Sequence, residues 1–380
     1  MMTASLETKA EPDNLDGVSI IVPTYKEVDS LPDLLNRLQL LRTTFQESEV
    51  IIVDDNSGDG TEDLIRNLKL DPWVRLIIRR SDRGLSSAVI EGCRLAKFST
   101  LIVMDADLSH PPEAIPAMVK TLNNAGTEFV IGSRYCEGGK VVEGWTLFRR
   151  INSWVATAFA RPFTNASDPM SGFLAFRKTD FLKSASLNPI GYKIGLELIV
   201  KCGFKNVKEV PITFELRKKG ESKLSLKEQL KYLTHIKRLA DYKFGNFSFL
   251  LQFATIGVTG LLINEIVVTI LDRLHLPDQL VFSLGILIGM VGTFILNRKI
   301  TFDHGVQEGW VRQYFKFVAA CSFGAFINYE ASLNFARFFH HVFAVKQISV
   351  MVGAVSGMIS NFLLSRYVVF KKNLVIARKK

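Results

Sequence analysis

Two carboxylates one residue apart, Asp105 and Asp107 in the stretch 104–109 (MDADLS), follow the short apolar run 101–103. A strand ending in Asp-x-Asp is expected to send both side chains to one side, because side chains alternate along a strand with a period of two. Carboxylates are hard oxygen ligands that suit Mg²⁺ or Mn²⁺, and Mg²⁺ is commonly held by one or two of them together with substrate phosphates. The chemistry expected here is binding of a divalent metal and a diphosphate. Solvated acids at a strand end are the simpler alternative, and the surrounding elements must decide.

Those elements have the rhythm of a parallel α/β sheet. Residues 18–22 (VSIIV) are too short an apolar run for a helix and end at Pro23, as a buried strand does. Leu31, Leu34, Leu35, Leu38 and Leu41 recur at helical spacing, and 49–53 returns to strand composition. Residues 54–61 (DDNSGDGT) are turn chemistry leading into a helix, with Thr61 or Asp59 as its cap. A third strand is expected at 74–78, then a loop at 79–84 and a helix from Leu85; 129–132 gives a further strand that delivers Ser133, Arg134 and Tyr135. In such sheets ligands sit beyond the carboxyl ends of the strands. The loops 23–27, 54–61 and 105–110 should therefore converge.

The 380 residues leave room for more than one domain. The apolar residues crowd into the last third, where 247–370 holds four long apolar runs. The formal charge of +10 fits an anionic partner: nucleic acid, acidic lipid headgroups or a nucleotide substrate. Nucleic acid is the poorest of these, because the cations accompany membrane-facing stretches instead of aromatic-studded strands. Cys93, Cys136, Cys202 and Cys321 are scattered, suggesting neither a zinc site nor a disulfide framework. Residues 1–16 are polar, lack the apolar core of a signal peptide and read as a loose cytoplasmic tail.

Five motifs in order make the pattern specific: PTYKE at 23–27, VDDNSGDGT at 53–61, MDADLSHPP at 104–112, GSRY at 132–135, and DPMSGF with FRK within 168–178. Together they resemble glycosyltransferase family 2, and within it the dolichyl- or polyprenyl-phosphate mannose synthases. The resemblance covers about 17–243, with a GtrA-like membrane domain as the remainder. It implies an α/β, Rossmann-like GT-A domain followed by an all-α four-helix transmembrane domain, a nucleotide-sugar donor, a divalent metal and inversion at the anomeric carbon. Carried onto this chain, it implies that Pro23, Tyr25 and Glu27 line the nucleotide, and that Val53 and Asp55 read the base and ribose. Asp105, Ala106 and Asp107 would border the diphosphate and metal, and Arg134 would face the sugar or acceptor phosphate. Some members have a glutamine where this chain has Ser109, a poorer ligand, so the metal set is Asp105, Asp107 and Ser109 with Asp107 foremost. His110 is expected to be structural, since Mg²⁺ prefers oxygen. Arg217 and Lys223 have the spacing of an Arg and Lys that close over the diphosphate in the family; a solvated basic turn near a bilayer is the alternative.

Residues 136–144 read as a mobile loop beside the site. An amphipathic stretch follows, with Trp145, Leu147, Phe148, Ile151, Trp154, Val155, Ala158 and Phe159 on one face and Arg149 and Arg150 on the flank. It suits a membrane interface or packing on the sheet equally. A helix bearing Glu197 is expected at 191–202 and a strand at 207–211, and 224–244 reads as a basic amphipathic helix at the membrane. The domains expected are a tail at 1–16, the catalytic domain at 17–223, interfacial helices at 224–246, a membrane domain at 247–371 and a basic tail at 372–380.

Four spans, 247–271, 280–296, 314–339 and 348–370, match the roughly 20 residues that a hydrocarbon core requires. Lys and Arg concentrate before the first span, in the loop 297–313 and in the tail, which puts both termini and the catalytic domain in the cytoplasm. A repeat is visible: Phe253, Gly260, Ile263 and Asn264 recur 64 residues later as Phe317, Gly324, Ile327 and Asn328, and Phe294, Arg298 and Phe302 recur after 68 as Phe362, Arg366 and Phe370. Asn264 and Asn328 would serve helix-to-helix contacts or meet the lipid chain.

The reaction expected is mannosyl transfer from GDP-mannose to a polyisoprenyl phosphate, with Asp107, Arg134 and Arg149 as catalytic candidates and Arg134 with Arg149 or Arg150 on the acceptor phosphate. UDP-glucose is the alternative donor. A non-catalytic lipid-carrier binding or translocation module is the alternative of another class.

Overall fold

The computed structural model describes residues 17–70, 72–141, 147–184, 186–191, 193–215, 226–274, 276–303, 308–339 and 345–371. The chain divides into two compact units, Met1–Leu239 and Ala240–Lys380.

In the first unit the order is β1 (Val18–Thr24), α1 (Leu31–Leu40), β2 (Ser48–Asp54), α2 (Thr61–Leu68), β3 (Val74–Ile78), α3 (Leu85–Leu95), β4 (Thr100–Val103) and α4 (Ile115–Asn123). Then come β5 (Phe129–Ser133), β6 (Lys140–Val141), α5 (Leu147–Ala160), β7 (Leu174–Arg177), α6 (Lys178–Lys183), α7 (Ile194–Lys201), β8 (Val207–Pro211), β9 (Thr213–Phe214) and α8 (Leu226–Phe244), the last running into the second unit. Seven strands form one sheet in the order β3-β2-β1-β4-β7-β5-β8. It is not the wholly parallel sheet expected: β7 runs antiparallel to both β4 and β5. β6 and β9 make a separate parallel pair.

The central strand β1 shows how the layers form. All seven of its residues are buried. Val18, Ile20 and Val22 join the core on the side of α1 and α4, among Leu34, Leu38 and Met118. Ile21 joins the opposite core with Ala88, Cys93 and Leu198. Period-two alternation thus feeds two apolar layers, each fully buried Leu or Ile contributing roughly 1.5–3 kcal/mol. Helix α3 lies so close to β1 that a Cβ on Gly92 would come within 2.5 Å of Ile21 Cγ2 and 3.1 Å of Val53 Cγ2. Only glycine fits there.

The second unit contains α9 (Asn246–Asp272), α10 (Asp278–Leu296), α11 (Trp310–Phe338) and α12 (Val345–Leu364), with π-helical turns at Asn297–Thr301 and Ser365–Val369. Among the described residues, three stretches are long and apolar enough to cross a membrane: Asn246–Asp272, Asp278–Thr301 and Ile348–Val369. Helix α11, the third span expected, is long enough but carries Arg312, Lys316, Asn328, Glu330 and Arg337. The repeat has a packing basis. In the first hairpin a Cβ on Gly289 would lie 3.0 Å from the Gly260 carbonyl oxygen; in the second, a Cβ on Gly357 would lie 2.8 Å from the Gly324 carbonyl oxygen. Asn264 packs on Gly285 and Gly289, and Asn328 on Gly353 and Gly357. Both asparagines therefore face the second helix of their own hairpin, the small-residue packing that lets membrane helices approach. The ends of the two hairpins meet where Phe302 stacks on Phe370, ring centroids 4.9 Å apart.

Candidate active site

A cavity of about 330 Å³ opens beyond the carboxyl ends of β1, β2 and β4. The loop after β1 contributes Pro23, Thr24, Tyr25 and Glu27; the loop after β2 contributes Asp55; the turn after β4 contributes Asp105, Ala106 and Asp107. The three loops do converge. They are tied together locally: the Lys26 N–H donates to Ser57 Oγ at 2.9 Å, the Val28 N–H to Asp59 Oδ2 at 3.2 Å, and the Asp55 N–H to the Thr24 carbonyl at 3.1 Å. Asp59 Oδ1 also accepts from the Thr61 N–H at 3.1 Å and so caps α2 from two residues before it. Lys26, Asn56 and Leu108 take left-handed φ values of 60°, 55° and 64°. Such backbone costs energy in non-glycine residues and gathers at functional loops.

A fourth wall, which sequence reasoning missed, is the start of α3. Arg83, Gly84, Leu85 and Ala88 line the cavity. Asp55 organises it: its Oδ2 accepts from the Gly84 N–H at 2.6 Å, and its Oδ1 accepts from Arg79 at 2.9 Å. A helix N-terminus beside an arginine suits a diphosphate. The signal in the sequence was the turn-to-helix boundary at Arg83-Gly84-Leu85, next to Asp55 only in the folded chain.

The acidic pair reaches the cavity by a different route from the one expected. Strand β4 ends at Val103, so Asp105 and Asp107 lie in a turn, and the pleat does not orient them. Asp107 Oδ1 accepts from the Ser109 N–H at 3.0 Å and the Ser109 hydroxyl at 2.5 Å. Ser109 is buried and does not line the cavity; as placed, it orients Asp107. The Asp105 N–H donates to His110 Nδ1 at 3.1 Å. That imidazole is buried, stacked on Phe173 at 5.2 Å and edge-on to Phe214 at 5.7 Å. Burial pushes its pKa below the ordinary value, and an Nδ1 that accepts belongs to the neutral ring. His110 is structural, as its neighbourhood requires.

Arg134, at the end of β5, is held by Asp168: Nε and Nη2 each reach a carboxylate oxygen at 2.7 Å, and its N–H donates to Oδ2 at 3.1 Å. Asp168 is fully buried, and its own N–H is anchored on Glu209 at 3.0 Å. The guanidinium also lies 4.9 Å from the Phe214 ring.

Comparison with known proteins gives this arrangement a family. Residues 19–183 match glycosyl transferase family 2, and 252–370 match the GtrA/DPMS transmembrane domain. A dolichol-phosphate mannosyltransferase of Pyrococcus furiosus is 36% identical over 316 residues, covering 82% of this chain and 88% of the relative. The chain belongs to the dolichol-phosphate mannosyltransferase family. A dolichol-phosphate mannosyltransferase of Mycosarcoma maydis is 44% identical over 236 residues, 60% of this chain and 80% of the relative. An undecaprenyl-phosphate mannosyltransferase of Micrococcus luteus is 38% identical over 219 residues, 55% and 87% respectively. The chain is thus a glycosyltransferase with a GT-A domain, and a membrane protein with three candidate spans.

Not every residue inferred for this family member comes to the cavity. Val53 is fully buried in the core beneath it, packed towards Gly92 of α3, so its side chain does not read a base. Arg134 does not line the cavity either. Arg217 and Lys223 lie outside the described residues, as does the side chain of Arg149 in α5. Helix α5 turns its apolar residues outward: Leu147, Ile151, Trp154 and Phe159 are all exposed, Trp154 by 72%. It is not packed on the sheet by that face. Its other side is tied to α8, where the Tyr232 hydroxyl donates to the Ala156 carbonyl at 2.7 Å and Gln229 Nε2 to Asn152 Oδ1 at 3.3 Å. Leu230 and Leu233 of α8 are exposed as well.

Proposed function

We propose that this glycosyltransferase moves a mannosyl unit from GDP-mannose to the phosphate of a polyisoprenyl lipid, with inversion, on the cytoplasmic face of a membrane. The observation that carries the reading is the cavity in which the acidic turn, the start of α3 and the first two sheet loops meet. Relatives named for dolichol-phosphate and for undecaprenyl-phosphate support a polyprenyl phosphate acceptor of either kind.

Asp105 and Asp107 fit a divalent cation: both line the cavity, Asp107 is already oriented by Ser109, and two carboxylates suffice where diphosphate and water complete the shell. No cluster of three acidic, histidine or cysteine ligands occurs among the described residues, in keeping with a cation shared with substrate. Bound there, Mg²⁺ or Mn²⁺ supplies positive charge against the diphosphate. Tyr25, Glu27 and Asp55 border the nucleoside, and Arg83 with the first turn of α3 faces its phosphates. The acceptor is largely ionised near neutral pH, since a phosphate monoester loses its second proton at about pH 6. Its oxygen forms the new bond to the anomeric carbon as the bond to the diphosphate breaks, and the electron pair leaves with the diphosphate. No general base is needed. Arg217 and Lys223 add charge at the leaving group, and Arg134 with Arg149 or Arg150 at the acceptor.

The exposed apolar faces of α5 and α8 support seating of the catalytic unit at a bilayer surface. The length of the apolar runs supports four spans, α11 included, and with that count the distribution of Lys and Arg supports cytoplasmic termini.

The test is transfer of radiolabel from GDP-mannose or UDP-glucose, in parallel, to a polyprenyl phosphate by purified full-length protein. Mannose should move to the lipid phase, EDTA should stop it, and Mn²⁺ or Mg²⁺ should restore it. Asp107→Ala should lower the rate at least about 100-fold while remaining folded. Glucose transfer instead of mannose, or full activity of Asp107→Ala, would overturn the donor or the metal assignment respectively.

A further inference from the structure

We infer that Arg79 is a positioning residue of the donor site: one guanidinium holds both the carboxylate of Asp55 and the turn that carries Arg83, so that nucleoside and diphosphate meet a single preassembled wall. The inference rests on the proposed reaction and adds a residue to it.

Arg79 directly follows β3, and its backbone N–H donates to the Asp54 carbonyl at 2.8 Å, beside the end of β2. Its side chain is 9% exposed and does not line the cavity. Nη1 donates to Asp55 Oδ1 at 2.9 Å and to the Gly84 carbonyl at 3.3 Å. Nη2 donates to the Asp82 carbonyl and to Ser87 Oγ at 2.9 Å. These contacts occupy four of the five N–H groups of the guanidinium. An arginine so committed has no two-point face left for a phosphate. Its work is to hold other groups.

The two carbonyls it holds belong to the residues on either side of Arg83, the arginine that does line the cavity. That turn needs support. Asp82 has φ +51° and Gly84 φ +143°, the first costly for a residue with a side chain and the second open to glycine. The Ser87 hydroxyl reaches the same two carbonyls, at 2.6 and 2.9 Å. The turn in its bent form aims the Gly84 N–H at Asp55 Oδ2, 2.6 Å away, and leaves Arg83, Gly84 and Leu85 on the cavity. Asp55 and the turn are thus joined twice, once through Arg79 and once through the Gly84 N–H. A donor that touches Asp55 and Arg83 finds both already placed, and groups fixed beforehand cost less to order on binding. Such support strengthens the hold on the donor without touching the reacting atoms, so its loss appears in KM before kcat.

The experiment is steady-state transfer by full-length protein, varying GDP-mannose and polyprenyl phosphate separately, with GDP binding followed by calorimetry. Arg79→Gln should raise the KM for GDP-mannose and the Kd for GDP about tenfold or more, and leave the KM for the lipid phosphate within about twofold. Arg79→Lys keeps a charge against Asp55 but cannot span both carbonyls, so it should recover part of the loss. It reads the same split if the glutamine variant fails to fold. In GDP binding, Asp55→Asn combined with Arg79→Gln should cost less than the product of the two single effects, because one residue acts through the other. An unchanged donor KM, an equal rise in both KM values, or single effects that multiply would overturn the assignment of Arg79. Wild-type protein that transfers no mannose to a lipid phosphate would instead overturn the proposed reaction.

Discussion

Ser109 places two donors on one oxygen of Asp107, its hydroxyl at 2.5 Å and its N–H at 3.0 Å. Ser109→Ala removes the hydroxyl bond and leaves the backbone one. A hydrogen bond to a charged group contributes about 1.5–3 kcal/mol, so the rate should fall roughly 10- to 100-fold if that orientation matters in the transition state. The concentration of Mn²⁺ giving half-maximal rate should rise with it. A variant with wild-type metal dependence would show that Asp107 is oriented by other contacts.

The Arg134–Asp168 pair should behave as a buried ion pair. Asp168→Ala strands a guanidinium that is nine-tenths buried, and breaking such a pair typically costs about 3–5 kcal/mol. The thermal midpoint of purified protein should drop sharply. Arg134→Lys keeps the charge but loses the two-point geometry and should lie between that variant and wild type.

Acid should weaken the docking of α8. His235 is fully buried, its Nδ1 accepts from the Ile190 N–H at 3.4 Å, and burial holds its pKa below the ordinary value even though Glu197, 3.7 Å away, pulls it up. Above the unfolded value of about 6.5 neither state carries the proton and the residue is silent. Below it the unfolded chain binds a proton that the folded chain resists, so stability falls as pH falls, until the lowered folded pKa is passed. Thermal midpoints measured from pH 7.5 to 5.5 should decline, and His235→Gln should flatten that decline.

In the membrane unit the two hairpins should share a weakness. Gly289→Val and Gly357→Val each drive a side chain into a backbone carbonyl, of Gly260 and Gly324 respectively, and both should lower stability in detergent. Gly257→Ala is the control: nothing lies within 4 Å of its added methyl, and replacing a helical glycine gains about 1 kcal/mol of helix propensity. Equal loss in all three would mean that packing within the hairpins is not the cause.

The sequence by itself determined what depends on local period and turn chemistry. Strands at 18–22 and 74–78, the helix from Leu85, and the meeting of three loops at one edge were all legible, because alternation, helical spacing and Asp-Gly-rich turns are properties of a few neighbouring residues. The 64- and 68-residue repeat was legible too, Gly260 and Gly324 included, though not Gly289 and Gly357, which pack against their carbonyls. The tertiary structure alone decided contacts between distant residues. It set β7 antiparallel between β4 and β5 and brought Asp168 to Arg134 from 34 residues away. It also showed what Ser109 and His110 touch: the Ser109 hydroxyl donates to Asp107, and His110, expected to be structural, accepts from the Asp105 N–H. Periodicity states which residues are buried, but not which buried partner completes a polar group's hydrogen bonds; that follows only when the sheet order brings the strand ends together.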